Sequence, residues 1–114
     1  MNISRTTVTK LLIKDKGVEA ISLFIEDPSP GFGQVTILCS DNNAWTYFEG
    51  GTGDESMAEF FCNCDSDYLV DRLAPHVEHR LSLKEDIIPT VKKALRQLAP
   101  NGSKCEFYNC KILK

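Results

Sequence analysis

Between Lys16 and Arg72 the chain has neither lysine nor arginine, yet the same stretch holds eleven carboxylates. Formal charge therefore falls into three blocks, about +3 for residues 1–16, −11 for 17–71 and +5 for 72–114, within a net charge of −3. A concentrated negative stretch repels nucleic acid phosphates and attracts basic protein surfaces. Long apolar runs are absent too: none approaches the roughly 20 residues needed to cross a bilayer, and the first sixteen residues contain no secretory-type apolar core. The expectation is a soluble, cytoplasmic protein with no membrane partner. An odd set of five cysteines (Cys39, Cys62, Cys64, Cys105, Cys110) without an export signal argues against a disulfide framework and for reduced thiols.

What is present suits one domain spanning 1–114, because 114 residues with 42% apolar content support one core and not two. The first half reads as strands. Ile21, Leu23 and Ile25 recur with period two in Glu19–Glu26, as do Val35, Ile37 and Cys39 in Gln34–Ser40. Thr6–Ile13 supplies a β-branched first strand and Ala44–Phe48 a short aromatic fourth. The Pro/Gly-rich segment 28–33 and the Asp41-Asn42-Asn43 turn separate the later pairs. The prediction is an antiparallel meander of about four strands.

The second half changes period. Met57, Phe60 and Phe61 have helical spacing within Asp54–Cys62, with Ser56 and Glu59 placed for a capping box. Asp65 or Ser66 caps a second helix carrying Tyr68, Leu69 and Leu73, which ends before Pro75. In a third helix Ile87, Val91, Ala94, Leu95 and Leu98 form one stripe, with Lys92, Lys93 and Arg96 expected to face solvent. Ser82 and Glu85 offer it a capping box, but Pro89 delays its regular turns to about Asp86. Cys105–Leu113 is apolar enough to return as a last strand. The fold class is α+β, with two or three helices packed on the sheet.

No motif identifies a reaction. Gly50-Gly51-Thr52-Gly53 joins a strand to a helix, where backbone amides can hold phosphate, but Asp54 and Glu55 at the helix start would repel an anion. A tight structural turn is the better reading. Cys62, Cys64, His76, His79, Cys105 and Cys110 have poor spacing for zinc. Asp65, Asp67 and Asp71 are explained by capping and a solvated face as well as by a cation, and the calcium-loop pattern fails after the second aspartate. No cofactor or metal is therefore assigned, and no Gly-x-Ser-x-Gly elbow is present.

Trp45, Tyr47 and Phe48 with Phe60 and Phe61 gather half of the aromatics into one short span. Strand alternation puts Trp45 and Tyr47 on one side and Phe48 on the other, so one set is core and the other partly exposed. Exposed aromatics among carboxylates suit a protein-binding patch. The same residues could equally cement sheet to helices.

The run Ala44-Trp45-Thr46-Tyr47-Phe48-Glu49-Gly50-Gly51-Thr52-Gly53, followed by Glu59–Asp65 and Asp67–Leu73, resembles a family of small accessory proteins of enterobacterial phages and prophages. The resemblance carries no catalytic signature and lends no functional residues. It implies a context in which small proteins bind and block a host protein, restriction or CRISPR machinery included. Thr52 stands where a larger residue is expected.

These readings converge on a non-enzymatic protein that binds a host protein with a basic surface. Asp54, Glu55, Asp65, Asp67 and Asp71 would steer the encounter, and Trp45 and Tyr47 would anchor it if exposed. Two alternatives stay open: nucleic acid binding by Arg72, Arg80, Lys84, Lys92, Lys93, Arg96 and Lys104, which the charge pattern disfavours, and a small enzyme centred on Cys62, Asp65 or His76. An exposed sheet edge would also favour a homodimer.

Overall fold

The computed structural model describes residues 1–27, 31–40, 42–74 and 80–98. Four antiparallel strands, β1 (Thr9–Asp15), β2 (Val18–Glu26), β3 (Gly33–Cys39) and β4 (Ala44–Glu49), lie side by side in chain order. This is the expected meander, with β1 starting three residues late because Thr6–Val8 remain exposed coil. The hairpin between β3 and β4 closes through hydrogen bonds from Cys39 N–H to Asn43 O (2.8 Å) and from Asn42 N–H to Cys39 O (2.9 Å). Asn42 takes the left-handed backbone there, with φ of 73°, a conformation asparagine tolerates better than most residues.

Register gives the sheet one apolar face. Leu11, Leu23, Ile37 and Trp45 form one cross-strand row, and Ile25, Val35 and Tyr47 fall in the next. Helices α1 (Met57–Asn63), α2 (Ser66–Leu73) and α4 (Ile88–Leu98) cover this face through Met57, Phe61, Leu69, Ile88, Val91 and Leu95, all buried. At Gly33 the backbone runs so close to α1 that a Cβ would sit 2.6 Å from the Met57 side chain. Only glycine fits there.

The caps on α1 and α2 form as their sequences suggest. Glu59 N–H donates to Ser56 Oγ (3.1 Å) and Ser56 N–H donates back to Glu59 Oε1 (3.0 Å). Tyr68 N–H donates to Asp65 Oδ1 (2.8 Å).

The last helical run differs from expectation. It begins with one turn, α3 (Arg80–Ser82), widens into a π-turn over Leu83–Ile87, and becomes regular only in α4. Proline at position 89 has no N–H to bond Glu85 and its ring crowds that carbonyl, so the wider turn upstream relieves the conflict. Ser82 thus lies inside helical backbone and makes no capping bond, and the Ser82–Glu85 box does not form. The proposed Cys105–Leu113 strand lies outside the described residues, as do Pro75, His76 and His79.

Candidate functional site

Two corrections reshape the predicted site. The first concerns the aromatics: Tyr47 is only 5% exposed and Trp45 is half-buried against the core. Both share the inner face with Val35 and Ile37, so neither is an exposed anchor. Phe48 takes the outer face instead, 51% exposed, and its ring stacks on Phe32, itself 43% exposed, with centroids 6.1 Å apart. Gly50 lies against both rings.

The second concerns charge. Asp71 is ion-paired with Arg80 (2.6 Å) and Asp67 with Lys84 (2.7 Å), so the basic third of the chain neutralises part of its acidic middle. Other cations are also spent internally. Lys92, expected in solvent, is buried and donates to Cys64 O, while Arg96 donates to Cys62 O (3.1 Å). These carbonyls lie at the C-terminal end of α1, where helix oxygens lack intrahelical donors and cations are favoured. Arg72 lies over the Tyr47 ring, 5.1 Å from its centroid, and Lys93 pairs with Asp15 (3.2 Å).

Asp54 is exposed ahead of α1, and Glu55 accepts from the Asn63 side chain at that helix's far end. Asp65 caps α2 just beyond. Glu49, which the sequence reading did not single out, links these pieces. Its carboxylate accepts from the hydroxyls of Tyr47 (2.7 Å) and Tyr68 (2.9 Å) and from Gly51 N–H (3.1 Å). Burial pushes this carboxyl up, but the three donors and nearby Arg72 together hold it below the ordinary range. The same pairing raises both tyrosines, Tyr47 chiefly through burial and Tyr68 chiefly through its bond to Glu49. One signal for Glu49 was available: it has the strand parity of Tyr47 and so points to the helix side.

Cys64 marks where the carboxylates meet. Burial raises its thiol, and the charges of Glu49, Glu55 and Asp65 act in the same direction against that of Lys92. A raised thiol is a poor nucleophile. Cys39 and Cys64 are free, but Cys62 is disulfide-bonded, against the expectation of reduced thiols throughout. Among the described residues no group of three or more His, Cys, Asp or Glu is arranged to hold a metal.

The glycine-rich turn is held by backbone bonds: Thr52 N–H donates to Gly31 O, in the connection between β2 and β3 (3.1 Å), and Glu55 N–H to Thr52 O (3.1 Å). With Gly51 N–H on Glu49, these amides are engaged, as a structural turn requires. No described helix is long and apolar enough to cross a membrane.

The described residues form a two-layer α+β fold with an exposed, stacked aromatic pair and, separately, a group of carboxylates around Cys64. A family model described as a phage family, Phage_phiTE_072, matches residues 1–112, and the chain belongs to that family. No curated protein and no solved structure matches it.

Proposed function

We propose that this phage protein is a non-catalytic accessory protein that acts in the host cytoplasm by binding a host protein with a basic surface, of the nucleic-acid-handling or defence kind. The observation carrying this reading is the stacked, exposed Phe32–Phe48 pair; Glu49, Glu55 and Asp65 gather separately around Cys64, and Asp54 is exposed in the turn between β4 and α1. Exposed aromatics packed on a rigid sheet lose little entropy on docking and make good anchors. The carboxylates steer a basic partner through long-range attraction. Asp67 and Asp71 contribute less than their sequence positions suggest, because each already has a cation. Nucleic acid binding through the C-terminal third draws less support, since Arg72, Arg80, Lys84, Lys92, Lys93 and Arg96 hold partners within the chain, while Lys104 lies outside the described residues.

The test is affinity capture from host lysate, with wild-type protein and a Phe48→Ser variant run in parallel. A host protein retained by wild type and lost with the variant supports the proposal, and its purified form should bind more weakly as salt rises. Equal capture by both proteins removes the aromatic pair from the account.

A further inference from the structure

Among the described residues the helices pack on one side of the sheet, and none of the described elements covers its other face. Three cross-strand rows cross that face: Lys10, Phe24, Thr36 and Thr46; Leu12, Ser22, Leu38 and Ala44; and Glu26, Gln34 and Phe48. Leu12 is 60% exposed and Leu38 39% exposed, so the middle of the face is apolar and reachable. Charge is sparse, with Lys10 and Lys14 along β1 and Glu26 at the end of β2. In a chain whose charge is otherwise so segregated, this face is nearly neutral.

We infer that this open face packs on the same face of a second copy of the chain. The row pattern favours a two-fold axis parallel to the strands, which lays β1 of one copy over β4 of the other and β2 over β3. Leu12 then faces Ala44, Leu38 faces Ser22 and Phe24 faces Thr36, so each large apolar side chain meets a small one. Alternation of this kind lets two sheets interdigitate about 10 Å apart. No like charges oppose each other, because Lys10 faces Thr46 and Glu26 faces Gln34. An axis perpendicular to the strands through the Lys10 row would instead set Lys10 against Lys10.

Size sets the strength. Four strands about 4.8 Å apart and six residues of about 3.4 Å rise give a footprint of roughly 400 Å². That is about half of the ~800 Å² per partner buried in standard stable complexes. The dimer is therefore weak and reversible, and Phe32 and Phe48 lie at its rim.

Sedimentation equilibrium of the full chain from about 5 to 500 µM, a range suited to an interface this small, reads the association directly. Wild type should shift from monomer towards dimer across the range. Leu38→Glu should weaken dimerisation by at least about tenfold, because it buries an unpaired charge, with circular dichroism checking that the fold persists. Leu12→Lys and Ala44→Glu should each weaken it, and the two combined in one chain should restore it. Residues 12 and 44 lie on opposite sheet edges within a chain, roughly 14 Å apart, so the rescue must act between copies. A wild type that stays monomeric throughout overturns the inference. So does a combined variant as weak as the worse single change.

Discussion

The two faces of this sheet treat charge in opposite ways. On the helix side carboxylates and cations are brought together: Asp67 with Lys84, Asp71 with Arg80, and Lys92 and Arg96 on the carbonyls ending α1. On the open side charge is nearly absent and threonine, leucine and phenylalanine take its place. Charge segregated along the chain is thus partly complementary within the fold. Near Cys64 the carboxylates of Glu49, Glu55 and Asp65 still gather, with Lys92 the nearby cation.

The contrast breaks most visibly at the apolar positions. Leu23→Ala on the inner face should cost about 2–5 kcal/mol, through lost burial and the cavity left behind. Leu12→Ala on the outer face should change monomer stability by no more than about 0.5 kcal/mol. Urea unfolding at a concentration below dimerisation compares the two, and equal losses would mean that the open face is not open.

Glu49 is the next largest effect. Glu49→Gln keeps the shape but loses the charge that draws Tyr47 and Tyr68, and should cost about 1–2 kcal/mol. The pH dependence has a definite sign. Because the folded carboxyl lies below its ordinary value, its contribution is present above about pH 4.3 and is lost as pH falls through the folded value. The gap between wild type and variant should therefore close on acidification. Tyr47 and Tyr68 act oppositely: their folded values are raised, so stability falls as pH climbs past about 10.

Much of the fold was legible because it rests on local rules. Period-two alternation placed β2 and β3 to within a residue, and Ser56, Glu59 and Asp65 announced their caps. What escaped was non-local. Alternation in Ala44–Phe48 separates Trp45 and Tyr47 from Phe48 but cannot say which set faces the helices, since both are aromatic. Asp67 and Asp71 look like solvated acids until Lys84 and Arg80, in the following helical run, fold back onto them. Lys92 and Arg96 sit on the polar side of a helical wheel, yet the wheel does not show that a neighbouring helix ends beneath them. Phage kinship was legible in the run from Ala44 to Leu73, and the family match supports it.

Two smaller effects sharpen the picture. Thr52 is buried, and its hydroxyl has no hydrogen-bond partner among the described residues. Thr52→Val should raise stability by about 1 kcal/mol by removing an unsatisfied polar group at constant shape. A fall in melting temperature would show that the hydroxyl has a partner after all. Lys84→Ala, which breaks an exposed pair with Asp67, should have the smallest effect on stability of these changes and matter less still at high salt.

The proposed role rests on the exposed Phe32–Phe48 pair and on the carboxylates of Asp54, Glu55 and Asp65. Its most direct test is the affinity of a captured host protein, measured by calorimetry, for wild type, Phe48→Ser and an Asp54→Asn/Glu55→Gln/Asp65→Asn variant. Loss of binding with the first and a flattened salt dependence with the second is the expected result. A partner bound equally by all three, at every salt concentration, would contradict it.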